Sequence, residues 1–213
     1  MADEETRQKA TVQDDVRERQ IALHCGLTRT GKRAGADAFD ENGNPYELKS
    51  ATKSGVTTGR DIGIHTIAVY RKEYWVIAEG TNYQAASGLK KFEIRSLYIA
   101  HPNDLESWFA RIESRIKEEL EICETVLAAA QASGVDARKI EFCRGKLTRG
   151  VTLNNPKIPM QLVRQNATSL DPNNPQVASE QIRQFVRNNP LSEPQSSTHS
   201  NTAEPSGKTS LFE

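Results

Sequence analysis

The most informative segment for the fold is residues 35–50, GADAFDENGNPYELKS. An Asn-Gly pair at its centre is the strongest short signal for a tight hairpin turn. The apolar residues before the turn and the run Pro45 to Ala51 after it predict two antiparallel strands. Because side chains two apart in a strand share a face, Glu47 and Lys49 project together while Leu48 points into the core.

The predicted hairpin carries residue types that suit phosphodiester hydrolysis. That reaction needs an activated water, neutralised charge on the phosphorus and a stabilised leaving oxygen, which a bound divalent cation supplies. Mg²⁺ prefers carboxylate oxygens, and Asp37 and Glu47 on facing arms would be its ligands. Lys49 beside them would orient or deprotonate the attacking water, or stabilise the transition state. The alternative is a solvated hairpin with a surface Glu–Lys pair.

Further elements follow from periodicity and turn signals. Residues 12–24 predict a short amphipathic helix that ends at Gly26, and residues 62–70 predict a helix with a strand as the alternative. Thr58 is the candidate N-cap of that second helix. Two strands and one long helix are also predicted, the strands at Tyr74–Ala78 and Phe92–Ile99 and the helix at Asp104–Ala132.

Composition limits the class of protein. The chain has 213 residues, 36% of them hydrophobic, with 28 basic and 28 acidic side chains. This balance excludes a strongly basic binder that depends on net charge. Three cysteines without metal-binding spacing, and no apolar run of the ~18 residues needed to cross a membrane, favour a soluble protein of the reducing cytoplasm.

Four ordered segments resemble one known family. They are residues 35–50, residues 68–71 with Trp75, residues 102–106 and the loop Asn154–Pro159. Together they resemble the PvuII-like type II restriction endonucleases of the PD-(D/E)XK nuclease superfamily. The resemblance implies an α/β (α+β) fold in which helices flank a mixed central sheet.

The same resemblance implies an activity. A homodimer would clamp double-stranded DNA and, with Mg²⁺, cut both strands within a short palindromic site, six base pairs long and with blunt ends. A cognate DNA methyltransferase would share that site without needing to bind the nuclease. By position, Asp37 and Glu47 match the metal ligands, Lys49 the catalytic lysine and Tyr70 a tyrosine near the metal. A half-buried aromatic on a helix is the alternative for Tyr70.

The loop near residue 155 matches the family's DNA-reading loop. Asn154 and Asn155 match asparagines that contact bases, and an Asn amide can bond adenine through its N6 and N7 edge. Lys157 would hold phosphate rather than read sequence. A plain turn is the alternative for this loop.

A departure from the family falls in the segment that reads the central bases. Where the family carries histidines, this chain has Gly59-Arg60-Asp61. Arg60 can pair with guanine and Asp61 can accept from cytosine, so they are candidate readers of a central G·C pair. Thr57 and Thr58 complete this DNA-contacting stretch. A surface Arg–Asp ion pair is the alternative.

The predicted domain covers residues 1–165, with an N-terminal dimerisation helix and a helical insertion at about 117–150. Ile116, Leu120 and Leu127 in the insertion are candidates for a replacement dimer contact, with a core role as the alternative. Residues 166–213 are rich in Ser, Asn, Gln and Pro, and predict a mostly disordered tail with one weak helical patch at 177–186. Ala34 stands where the family has an acidic residue, so an accessory metal role is lost there.

Two other functions remain open on the sequence alone. One is a repair or junction-cleaving nuclease of the same fold, which would select DNA by shape. The loop Asn154–Pro159 argues against it. The other is a catalytically inactive homologue that binds DNA, and the intact set Asp37, Glu47 and Lys49 argues against that one.

Overall fold

The computed structural model describes residues 16–31, 35–51, 55–84 and 90–191, and contains a mixed sheet. The sheet has the order β1-β2-β3-β5-β6-β8, in which β3 and β5 are parallel and the other neighbours antiparallel. A separate ladder joins β4 and β7. The strands are β1 (Thr28–Arg29), β2 (Ala38–Phe39), β3 (Pro45–Ala51), β4 (Gly55–Thr57), β5 (Tyr74–Gln84), β6 (Lys90–Ala100), β7 (Lys157–Pro159) and β8 (Thr168–Leu170).

Helices cover both faces of this sheet. A 3₁₀ turn at Pro102–Leu105 leads into the longest helix, as the periodicity predicts. The α-helices are α1 (residues 16–25), α2 (Ile64–Tyr70), α3 (Glu106–Ala132), α4 (Ala137–Gly150), α5 (Met160–Asn166) and α6 (Pro175–Asn188). The mixed α/β architecture predicted from the resemblance is therefore confirmed.

Local predictions mostly hold. The hairpin of β2 and β3 forms, and Gly26 ends α1 with a φ of 69°, the left-handed region that glycine adopts without strain. The ambiguous segment at 62–70 is helical because its apolar side packs on α3, and Ile67 is fully buried there. The N-cap prediction is wrong. Gly63 occupies that position without a side-chain hydrogen bond, and Thr58 lies further upstream.

Alternation along the central strands creates two cores. Trp75 and Ile77 face α3, where Trp108 and Phe109 pack against them. Leu48, Tyr74 and Val76 face the opposite side, which α1 and α6 cover. Leu48 is fully buried, as the hairpin alternation predicts, and the side chains of Glu47 and Lys49 therefore lie on the α3 side of the sheet.

The expected boundary near residue 165 is wrong for residues 166–191. Strand β8 pairs with β6, and α6 buries Ala178 and Ile182 against the sheet. The Tyr74 hydroxyl donates to the Asn189 carbonyl at 2.7 Å and accepts from the Leu191 amide at 3.1 Å. A few apolar side chains at helical spacing are enough to dock this polar segment. Residues 192–213, the rest of the predicted tail, lie outside the described residues.

The predicted helical insertion is a hairpin of α3 and α4. Ile116 is fully buried in the core and Leu127 is also buried, while Leu120 packs against the same core. The core alternative therefore holds for these three residues, and the expectation that they form a dimer contact is wrong. Among the described residues, no helix has the length and apolar character needed to span a membrane.

Candidate active site

The hairpin and the parallel strand beside it bring the predicted catalytic side chains together. Asp37 precedes β2, and its amide donates to the Tyr46 carbonyl at 2.9 Å, which places Asp37 opposite Glu47. Glu47 and Lys49 project from the same face of β3, as the alternation predicts. Strand β5 supports them, since Glu47 pairs with Trp75 in the parallel register.

Direct contacts hold these three side chains in one cluster. An oxygen of Asp37, Oδ2, accepts from the Leu48 amide at 2.9 Å and lies 3.4 Å from Lys49 Nζ. Lys49 Nζ lies 2.5 Å from Glu47 Oε1. The side chains of Asp37, Glu47 and Lys49 are 19%, 6% and 11% exposed, so the cluster opens to solvent mainly at Asp37. The alternative of a solvated surface pair is therefore wrong.

Burial dominates the electrostatics of the cluster. Burial raises the pKa of Glu47 to about 7, while Lys49 lowers it and Asp37 raises it further. Burial disfavours the charged form of Lys49, yet the Glu47 and Asp37 carboxylates outweigh it and raise the pKa of Lys49 above its ordinary value. The two carboxylates therefore favour the protonated form of Lys49.

Tyr70 joins this cluster from the end of α2. Burial, and then the Glu47 carboxylate, raise the pKa of Tyr70, and a hydrogen bond with Glu47 adds to the effect. The ring meets Trp75 edge-on with centroids 4.8 Å apart, and Trp75 Nε1 donates to the Tyr70 carbonyl at 3.1 Å. The next residue, Arg71, fixes the helix end through two hydrogen bonds to Glu106 on α3.

A third carboxylate, which the sequence pattern did not reveal, lies beside the cluster. Glu73 is 4% exposed and directly precedes β5. Burial, followed by the carboxylates of Glu47 and Asp37, raises the pKa of Glu73 to about 8. The sequence signal for it is the alternation that puts residues 73 and 75 on one face, but this signal has meaning only once the pairing of β3 with β5 is known.

The carboxylates fit a hard divalent cation. Within the described ranges, no three Asp, Glu, His or Cys side chains converge closely enough to surround a metal ion by themselves. Mg²⁺ does not need three protein ligands. It is commonly held by one or two carboxylates, and water and substrate phosphate complete its coordination shell. Asp37 and Glu47 offer oxygen ligands of this kind.

The family comparison extends this resemblance over more than half of the chain. The family model described as Restriction endonuclease PvuII matches residues 4–125. The chain belongs to this family. The matched range includes Asp37, Glu47, Lys49 and Tyr70. The protein is therefore a type II site-specific deoxyribonuclease, a hydrolase that acts on DNA.

The DNA-contacting residues predicted for this restriction endonuclease lie on two adjoining loops. The Asn155 amide donates to the Gly59 carbonyl at 3.1 Å, and Ile62 forms a β-bridge with Leu153. Strands β4 and β7 continue the contact, with Thr57 directly opposite Lys157. The two segments are thus brought together even though about a hundred residues separate them, and the family match ends before the second segment.

The solvent-facing side chains on these loops include most of the predicted readers. Arg60, Asp61, Asn154 and Asn155 are exposed. Asp61 and Asn155 have φ values of 56° and 46°, a left-handed conformation that few residues other than glycine, Asn and Asp adopt. Each loop thus has one exposed polar residue in this conformation.

Thr57 and Lys157 are exposed, whereas Thr58 is buried. The Thr58 hydroxyl donates to the Pro156 carbonyl at 2.6 Å. Its hydroxyl therefore joins the two loops, and a DNA contact by Thr58 stays a prediction. The alternative of an Arg60–Asp61 ion pair is not found among the salt bridges formed by the described residues.

The Tyr70 hydroxyl connects the catalytic cluster with the loop of Arg60. It lies 3.4 Å from the position that a β-carbon would occupy at Gly59. Because the Glu47 carboxylate also raises the pKa of Tyr70, the active site and the predicted reading loop are neighbours within the chain.

Proposed function

We propose that the protein cleaves both strands of duplex DNA within a short palindromic site, with Mg²⁺ as its cofactor. The observation that carries this proposal is the convergence of Asp37, Glu47 and Lys49 on one face of the hairpin, with Lys49 Nζ within 3.4 Å of both carboxylates. Asp37 and Glu47 would hold the ion, because the donors are hard oxygens and the remaining positions are open to water and phosphate.

Bound Mg²⁺ would neutralise charge at the scissile phosphate and make a water molecule nucleophilic. The protein's own groups would set the geometry. The Leu48 amide fixes one Asp37 oxygen, and the other would bind the ion. Lys49, held protonated by two carboxylates, would stabilise the charge that develops on the phosphate rather than act as the base. Tyr70, which lies close enough to Glu47 for that carboxylate to raise the Tyr70 pKa, would orient Glu47.

Sequence would be read by the joined loops. The proposed base readers are Arg60, Asp61, Asn154 and Asn155, which are exposed side chains with the donor and acceptor patterns for G·C and A·T pairs. Thr57 and Lys157 lie opposite each other on β4 and β7 and would contact the backbone, where a cation positions the duplex without reading it.

A palindromic site matches a symmetric protein, so we propose a homodimer. The family resemblance supports a six-base-pair site, blunt ends and a cognate methyltransferase that protects host DNA. The N-terminal segment is the proposed dimer region. Its described part, α1, buries Ile21 and Cys25 in the core and leaves Leu23 70% exposed.

Digestion of unmethylated phage DNA by the purified protein, with Mg²⁺ and with EDTA, tests this function. Discrete fragments that form only with Mg²⁺ are expected, and sequencing their ends gives the site and the cut position. A smear would indicate a shape-selective nuclease of the same fold. Intact DNA together with a retained gel shift would indicate an inactive DNA-binding homologue. Either result would contradict the proposal.

A further inference from the structure

Glu73 has a buried carboxylate oxygen whose hydrogen-bonding requirement the described residues do not meet. It is 4% exposed, and its oxygen Oε2 has no hydrogen-bond partner among the described residues. Burying a carboxylate oxygen without a donor is unfavourable, and such groups in native proteins are normally satisfied by protein, water or an ion. Since no described residue supplies a donor, a water molecule or an ion is a candidate for the missing partner.

The strand register places Glu73 on the active-site face. Tyr46 pairs with Tyr74 and Glu47 with Trp75 in the parallel ladder. Glu73 directly precedes β5, and continuing the alternation by one residue puts it on the face of Trp75 and Glu47, about 7 Å of strand from that pair; the influence of Glu47 and Asp37 on its pKa agrees with this position. Asp37, opposite Glu47 on the other neighbouring strand, completes a row of three carboxylates.

The charges around Glu73 indicate what the missing partner must be. After burial, the carboxylates of Glu47 and Asp37 act most strongly on it, and Lys49 opposes them. The Lys49 ammonium is already in contact with Glu47 and Asp37. Another anion, such as a DNA phosphate, would add to the repulsion. A positively charged or hydrogen-bond-donating group would relieve it.

A hydrated divalent cation meets both requirements. Mg²⁺ keeps several of its waters when carboxylates bind it, and those waters are strong donors. Since no three acidic, His or Cys side chains in the described parts of the chain can surround an ion directly, a water between ion and carboxylate fits better than direct ligation.

We propose that Glu73 is a positioning residue of the metal site, whose Oε2 accepts a hydrogen bond from a water bound to the cation held by Asp37 and Glu47. The inference rests on the proposed function. Partners of this kind typically change metal affinity by about 10–100-fold when they are removed. Glu73 would thus strengthen metal binding and fix the orientation of the hydration shell without touching the ion.

Mn²⁺ binding to the full chain, counted by electron paramagnetic resonance in the absence of DNA, tests the proposal. Glu73→Gln keeps the shape and removes the charge, so its Mn²⁺ dissociation constant should rise about tenfold. Its melting temperature without metal should not fall, because the lost carboxylate lacks a partner. The control is Glu93→Gln, which removes the same charge from an exposed position on β6 and should bind Mn²⁺ as the wild type does.

Unchanged Mn²⁺ affinity in folded Glu73→Gln would overturn the proposal, and a lower metal-free melting temperature with unchanged affinity would assign Glu73 a structural role instead. Should Glu73→Gln not fold, Glu73→Asp keeps the charge but withdraws the carboxylate by one methylene. Mn²⁺ binding several-fold weaker than wild type is then expected, and wild-type affinity would overturn the proposal. A wild type that binds no Mn²⁺ and cuts no DNA would refute the proposed function itself.

Discussion

Thr58 and Pro156 are joined by a buried 2.6 Å hydrogen bond, from hydroxyl to carbonyl, between positions 98 apart in the chain. With the β4–β7 ladder, this bond makes one unit of the two loops that carry Arg60 and Asn155. Their relative position is set by the protein before DNA arrives. A reader of fixed spacing discriminates bases better than two independent loops, because less order must be imposed on binding.

Replacing Thr58 by Val should loosen this unit. Thr58→Val keeps the side-chain shape but leaves the buried Pro156 carbonyl without its donor, and should lower the free energy of unfolding by about 1–3 kcal/mol. The preference for the cognate site over sites with one altered base pair should fall as well. Urea unfolding and paired cleavage rates measure the two effects. Thr58→Ser, which retains the hydroxyl, is the control, and a Val variant as stable and selective as the wild type would contradict the account.

Arg60 should discriminate at one base-pair position. Arg60→Ala should reduce discrimination there by about 1–3 kcal/mol, since one bidentate contact to guanine is lost. Cleavage rates on a set of substrates with single base-pair changes measure it. Lys157→Ala is the contrasting variant and should weaken DNA binding to all sequences alike. The slope of the logarithm of its binding constant against the logarithm of the salt concentration should fall by about 1, because one phosphate contact is lost. Unchanged cleavage specificity in Arg60→Ala would show that Arg60 does not read a base.

The segment after residue 165 should contribute to stability. Ile182 is 2% exposed between α6 and the sheet, and Ile182→Ala should lower the free energy of unfolding by about 2–5 kcal/mol. Urea denaturation measures this. Val177→Ala on the same helix shortens an exposed side chain and should have a much smaller effect on the free energy of unfolding. Equal effects of the two substitutions would mean that α6 is not docked.

Metal affinity should depend on pH through Glu47. Its pKa of about 7 means that the metal-free protein holds a proton there below neutrality, and a cation must displace that proton. A carboxyl with a raised pKa also lowers the stability of the metal-free fold as pH rises from 4.5 to 7. The apparent Mn²⁺ affinity should therefore weaken about tenfold per pH unit below 7. Equal affinity at pH 6 and pH 8 would contradict this.

The catalytic hairpin could be predicted from local sequence signals. The Asn-Gly turn and the alternation of Glu47, Leu48 and Lys49 depend on neighbours in sequence, so the strand pair and the shared face were predictable. The helix at 62–70 stayed ambiguous because β-branched residues suit both structures, and only packing on α3 decides it.

Contacts distant in sequence could not be predicted in the same way. The pairing of Leu97 with Leu170 brings a polar segment into the sheet, and its composition alone predicted disorder. Glu73 belongs to the active-site face only through the parallel register of β3 with β5. Thr58 resembled a cap or a DNA contact until Pro156, far along the chain, was found to accept its hydrogen bond.

Asp37 is proposed to act in cleavage and not in DNA binding, and the variant Asp37→Ala separates these two roles. Cleavage in Mg²⁺ and gel-shift binding to the cognate site in Ca²⁺ are measured on the same preparation, with circular dichroism as the check on folding. We expect that cleavage is abolished while site-specific binding in Ca²⁺ is retained. Cleavage at the wild-type rate, or loss of cleavage and binding together in a folded variant, would contradict it.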